Sequence, residues 1–106
     1  LTLKEIAFSK ATSLYQESEQ KAHLALLKNQ QCARHLNNVE EVLSTLNEAS
    51  ALYEEAWKRA CEALHLIFSY PDEENKNVLR QAIEYYEAAA LKHKQEAADW
   101  PARVAA

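Results

Sequence analysis

The chain contains no glycine in 106 residues, and its only prolines are Pro71 and Pro101. Nothing from Leu3 to Tyr70 is therefore barred from helix. Strands, tight turns and phosphate-cradling loops draw on glycine and proline for their special backbone angles, and soluble proteins ordinarily hold about 7% glycine and 5% proline. A chain without them has few places to turn. It reads as a few long helices with little loop between them, and loops are where catalytic groups usually sit.

At 106 residues and 48% hydrophobic content, the chain can bury one core but not two. Its formal charge of −4 is interspersed, which argues against a phosphate-neutralising surface and hence against nucleic acid. No apolar run of about eighteen residues exists to span a membrane, and no basic-then-apolar leader opens the sequence. The absence of methionine suggests a domain excised from a larger protein. The expected setting is cytoplasmic.

The apolar spacing is helical throughout. One stripe takes in Leu3, Ala7, Phe8, Ala11, Leu14, Tyr15, Ala22, Ala25, Leu26, Cys32, Ala33 and Leu36. A second runs from Val39 through Val42, Leu43, Leu46, Ala49, Tyr53, Ala56, Trp57, Ala60, Cys61, Leu64 and Ile67 to Phe68, an arc wide enough to face two neighbours. The third, Val78 to Ala97 through Leu79, Ala82, Ile83, Tyr86, Ala89, Ala90 and His93, is thinner and richer in alanine.

Two breaks divide the stripes. Pro71 disfavours helix at Tyr70, and Asp72 is placed to cap the helix that follows. At Asn37-Asn38 the signal is Asn38 with Glu41 three residues on, which resembles a capping box. A heptad register nevertheless runs from Phe8 to Ile67 without a skip, so one continuous helix forming a dimeric coiled-coil arm is the alternative. Ser18, Asn29 and Ser50 are poor residues for such a seam. The preferred fold is all-α: an antiparallel, up-down-up three-helix bundle, monomeric, with long helices over about 3–36, 38–69 and 73–98.

Folding back at Asn37-Asn38 sets Cys61 opposite Leu14 and Cys32 opposite Leu43. At 1.5 Å rise per residue the two cysteines lie about 27 Å apart, too far for a disulfide. Unpaired cysteines on apolar stripes read as small buried hydrophobes in a reducing compartment. The same separation disposes of the one metal-like pattern, Cys32 with His35 and Cys61 with His65, because the two pairs fall at opposite ends of the bundle. His23 and His93 are lone residues, expected at the stripe edges.

No catalytic constellation is present. Glycine-free sequence rules out the phosphate loop, the dinucleotide fingerprint and the nucleophile elbow. Glu40-Glu41 and Glu73-Glu74 sit where first helical turns favour negative charge. Glu62 precedes His65 by three, but a second copy that would build a di-iron bundle is missing. No enzyme, metal or cofactor is expected.

The aromatics carry the remaining signal. Pairing the second and third helices about Asp72 brings Trp57 near Tyr86 and Tyr53 near Ala90, so Trp57, Tyr53 and Tyr86 are expected to form the thick layer of the core. Tyr85 lies about 100° round the helix from Tyr86. With Ala88, Leu91 and Lys92 it gives the third helix an apolar surplus outside the core arc, and Arg59 and His65 border it on the second helix. These six residues are the expected face for a protein partner, an amphipathic helix in a shallow groove.

Tyr53-Glu-Glu-Ala56-Trp57, with Ala60, Ala63-Leu64 and Ile67, resembles the second helix of MIT domains, the three-helix microtubule-interacting and trafficking modules. Ile83-Glu-Tyr-Tyr-Glu-Ala-Ala89 is similar to their third. The resemblance covers about a third of the chain and implies a groove beside the third helix that receives helical tails of ESCRT-III or related partners. The sequence departs from the family in lacking the short Gly-Asn type turn between helices one and two, and in its longer helices. Tetratricopeptide helices share the small-and-aromatic spacing, but no 34-residue repeat is present. The expected function is a non-catalytic helical interaction module: adaptor, chaperone or regulatory domain.

Overall fold

A computed structural model describes residues 1–32 and 38–105. Three helices account for nearly all of it: α1 (Leu3–Cys32), α2 (Val39–Ile67) and α3 (Glu73–Ala105). Helix α2 packs against both neighbours, as its wide apolar arc requires. The bundle is 58 Å long and 18 by 15 Å across.

Each helix begins on a side-chain cap that satisfies an otherwise orphan amide. Thr2 Oγ1 accepts from the Glu5 amide at 3.1 Å, Asn38 Oδ1 from the Glu41 amide at 3.1 Å, and Asp72 Oδ1 from the Asn75 amide at 3.1 Å. Asp72 Oδ2 also accepts from the Asn75 side chain at 2.7 Å. The caps at Asn38 and Asp72 were both legible in the sequence. Asn37, like His35 and Leu36, falls outside the described residues.

Packing between α1 and α2 is antiparallel, and three ion pairs fix its register: Lys28 with Glu48 at 3.0 Å, Lys21 with Glu55 at 3.1 Å and Arg59 with Glu17 at 3.2 Å. Residue 38 lies midway between the partners of every pair. The chain therefore folds back there, and the heptad positions Ala11, Ser18, Ala25 and Cys32 are buried within the bundle.

Helix α2 buries Val42, Ala49, Ala56 and Ala63 alongside Leu46, Tyr53, Ala60 and Ile67. The continuous register read from the sequence shares only the second of these rows. In its other row Ser50 is buried but Leu43, Trp57 and Leu64 are only partly buried, because α2 turns its alanines inward, where small side chains let backbones approach closely.

Three core clusters stack along the bundle. The middle one joins Ala25, Ala49, Tyr53, Ala56, Ala60 and Tyr86, with Trp57 partly buried at its margin. Tyr53 and Tyr86 are the buried aromatics of the layer; Trp57 is its edge. One end is closed by Ala11, Ala63, Ile67 and Leu79, the other by Cys32, Val42, Leu46 and Ala97.

Two boundaries differ from expectation. Helix α2 ends at Ile67 rather than residue 69, and Ser50 Oγ donates to the Ala90 carbonyl at 2.8 Å. The pairing of α2 with α3 runs about the turn at Tyr70 to Asp72, as the sequence predicts: Leu46 shares a cluster with Ala97, and Tyr53 packs on His93. Helix α3 continues through Pro101 to Ala105 instead of stopping at 98. Proline's fixed φ is itself helical, and its missing N–H costs one bond near a helix end, while Trp100 packs onto the adjacent cluster.

Candidate protein-interaction groove

The three seams of the bundle are closed in different ways. The α1/α2 seam carries the three interhelical ion pairs. Between α1 and α3 the backbones stay apart, and side chains span the gap. Asn29 Nδ2 lies 2.7 Å from His93 Nε2, whose ring places Nδ1 2.6 Å from the Ala89 carbonyl. That carbonyl can only accept, so Nδ1 carries the proton and Nε2 accepts from Asn29. His93 also packs on Tyr53, ring centroids 5.2 Å apart, so it is a bridge between helices and not a stripe-edge residue.

Further along the same seam, the buried Ser18 hydroxyl donates to the Tyr15 carbonyl at 2.6 Å and engages the Tyr86 phenol. Phe8 meets Tyr70 at 5.8 Å. These bridges divide the α1/α3 cleft into separate hollows, one lined by Phe8, Tyr15, Val78 and Leu79, the next by Tyr15, Ala22, Ala82 and Tyr85, the last by Asn29, Cys32, Lys92 and Trp100.

The α2/α3 seam lacks the latch: among the described residues no ion pair joins the two helices, and the contacts that cross it, the Ser50 to Ala90 bond and the packing of Tyr53 on Tyr85 and His93, lie beneath its surface. What remains is an open groove of about 230 Å³ lined by Ser50, Glu54 and Trp57 from α2 and by Glu87, Ala90, Leu91 and Lys94 from α3. Both linings follow helical spacing of three and four residues, which turns each set to one face. Leu91 is 61% exposed. The Trp57 indole N–H is buried without a hydrogen-bond partner.

The six residues expected to form a partner face do not converge. Leu91 alone lines the α2/α3 groove. Tyr85 is exposed on the α1/α3 side, its ring edge-on to Tyr53 and Tyr86 at 6.3 and 5.8 Å. Lys92 lines the far hollow of that same cleft. Ala88 is exposed and, at about 100° per residue, faces outward between the two seams. Arg59 is held by Glu17 on the α1 side, and His65 is exposed on α2.

Titration shifts follow the packing. Burial, with Tyr85 and Tyr86 alongside, pushes the Tyr53 phenol up to about 12. Burial also raises both thiols, Cys32 next to Glu41 and Glu96, and Cys61 next to Glu87. Cys32 and Cys61 are free. Among the described residues no three His, Cys, Asp or Glu side chains gather as a metal site, and no helix is long and apolar enough to cross a membrane.

Sequence reasoning missed Ser50, Glu54, Glu87 and Lys94. The signal was there: Ser50, Glu54 and Trp57 share one face of α2, and Glu87, Leu91 and Lys94 one face of α3. Assigning Trp57 wholly to the core hid it. No family model matches the chain, and no curated protein or solved structure matches it either; it stands as an all-α, three-helix bundle.

Proposed function

We propose that the chain is a non-catalytic protein-interaction module that seats a helical segment of a partner protein in the α2/α3 groove. The observation that carries this reading is the contrast between seams: α1/α2 is latched by ion pairs, α1/α3 is crossed by side-chain bridges, and α2/α3 leaves Trp57 and Leu91 open along a groove. A helix laid in a groove engages apolar anchors at such three- and four-residue spacing. The local likeness of residues 53–67 and 83–89 to MIT domains supports the same class of occupant, so ESCRT-III-type helical tails belong among the ligands tested.

The alternative, a coiled-coil dimerisation arm, needs a free heptad seam, and α1 spends that seam inside the bundle. A monomer is the expected species, at 12.1 kDa in light scattering. Free cysteines favour a reducing, cytoplasmic setting, and the acidic balance disfavours nucleic acid.

The test is a pair of variants read by circular dichroism and by titration with helical peptides. Leu91→Asp should keep the fold and abolish peptide binding. Tyr85→Ala should keep both. Binding that survives Leu91→Asp but is lost with Tyr85→Ala would move the site to the α1/α3 cleft.

A further inference from the structure

The charges of the α2/α3 groove are ordered along its length, and the order specifies an occupant. On the α1/α2 seam three carboxylates each meet a cation of the other helix: Glu17, Glu48 and Glu55 are held by Arg59, Lys28 and Lys21. The α2/α3 seam differs. Among the described residues, Glu87 and Lys94 have no ion-pair partner and Glu54 has Lys58 of its own helix at 3.8 Å, both of those side chains more than half exposed.

The Ser50 to Ala90 bond fixes the levels. Because the helices are antiparallel, Glu54, one turn along α2 from Ser50, stands across from Glu87, one turn back along α3 from Ala90. The two carboxylates thus line the groove from opposite walls. Glu87 also reaches toward α2, where its charge acts on the Cys61 thiol. Lys94 lies two turns from Glu87, about 10 Å along the axis. Ala90 and Leu91 fill the space between, and Trp57 lies on the other side of the carboxylates.

Resting on the groove reading above, we infer that the occupant is an amphipathic helix with a charge-ordered contact face. A cationic residue sits between Glu54 and Glu87, an aliphatic residue sits on Ala90 and Leu91, and a carboxylate lies over Lys94. A second aliphatic residue covers Trp57. Along the occupant these recur at steps of three and four, the spacing that keeps them on one face. Like-charge contact disfavours the reverse order, so the groove selects its occupant by charge sequence as well as apolar fit.

The probes are three helical peptides on one alanine-glutamine background. The first carries Leu, Arg, Leu and Glu at positions i, i+4, i+7 and i+11. The second exchanges the Arg and Glu, and the third replaces both with Gln. Binding is measured with the full chain, and the site is read from the chemical shifts of the Trp57 indole and Leu91 methyl groups. The first peptide is expected to bind about tenfold tighter than the second, in keeping with a few exposed charge contacts. That advantage should fade in about 0.5 M salt, where the screening length is a few Å. Glu54→Lys, Glu87→Lys, Lys94→Glu in one variant should reverse the preference while the far-ultraviolet spectrum is unchanged.

Equal binding of the first two peptides at Trp57 and Leu91 overturns the charge order and leaves the groove standing. Should no peptide move the Trp57 and Leu91 signals, or should the shifts appear at Tyr85 and Val78 instead, the groove reading fails and the charge order with it.

Discussion

Helix α2 meets its two neighbours by different means. Toward α1 it places alanines inside and ion pairs outside, so that seam is both closely packed and latched along its length. Toward α3 it offers two large side chains, Tyr53 buried and Trp57 half-buried, with Ser50 bonded to a backbone carbonyl, and among the described residues no ion pair lies outside them. Small residues draw helices together and leave no groove; large ones hold them apart and leave one. The difference makes one side of α2 scaffold and the other a surface for recognition.

The largest expected effect separates the two aromatics of the middle layer. Tyr53→Ala removes a side chain that touches α3 through Tyr85 and His93, and should cost about 3–5 kcal/mol, the range for truncating a buried aromatic. Trp57→Ala, at the groove margin, should cost about 1–3 kcal/mol, as for an ordinary disruptive substitution. Trp57→Phe removes the unpartnered indole N–H together with the five-membered ring while keeping a six-membered aromatic ring, so lost packing offsets the relieved donor and stability should change little. Denaturant midpoints and slopes rank the three. If Trp57→Ala equals Tyr53→Ala, the groove is floored by core and the two seams are not distinct.

The polar seam residues come next. Ser50→Ala should cost about 0.5–1.5 kcal/mol, the net worth of one hydrogen bond, and Asn29→Ala should cost a similar amount by the same measure. The comparison is sharpened by amide exchange: Asn29→Ala should speed exchange in α1 and α3 near the bridge, and Ser50→Ala in α2 and α3. Should either variant loosen the α1/α2 amides first, the seam assignment is wrong.

These residues also mark how far the sequence could be read. The three stripes, the break at Pro71 and the caps at Asn38 and Asp72 depend on local spacing, and all were legible; the free cysteines followed from their separation once the chain folds back. Ser18, Asn29 and Ser50 were recognised only as unsuited to a coiled-coil seam. Their partners lie far along the chain: Ser18 engages Tyr86, Asn29 pairs with His93 and Ser50 with Ala90. Spacing within one helix does not reveal a partner on another.

The scatter of the expected binding residues has the same origin. Tyr85, Ala88, Leu91 and Lys92 are neighbours in sequence and lie outside the core arc, but that arc is flanked by two seams. Which seam receives each residue depends on the rotation of α3 against α2, and pairing about a turn fixes the level of residues along the axis but not that rotation. Only Leu91 was carried into the groove.

Smaller effects belong to the ion-pair latch. A double-mutant cycle on Lys28 and Glu48 should give a coupling of about 0.2–1 kcal/mol, the range for exposed pairs, and high salt should reduce it. The equivalent cycle on Glu54 and Lys94, which share the open groove without bonding, should give none in the free protein. A measurable coupling there would mean that the groove is closed by its own charges before any partner arrives.

The last expected effect is confined to acid pH and distinguishes the two turns that flank α2. The turn into α2 is capped by neutral Asn38, the turn into α3 by Asp72, whose carboxyl is held below its ordinary 3.8 chiefly by the Asn75 amide and side chain. Glu73 is lowered in the same way by Lys76 and Arg80. A carboxyl lowered by folding binds protons more readily in the unfolded chain, so its contribution is fully present above the unfolded value and is lost as pH falls through the folded one. Stability should therefore decline below about pH 4. Asp72→Asn keeps a good capping acceptor and removes one of the two titrating groups at this turn, so its stability at neutral pH should stay close to that of the parent and its acid decline should be shallower. Denaturant melts at neutral pH and near pH 2.5 measure both. An unchanged acid slope in Asp72→Asn would place the proton uptake elsewhere, and the cap at the head of α3 would then stand level with the neutral one at the head of α2.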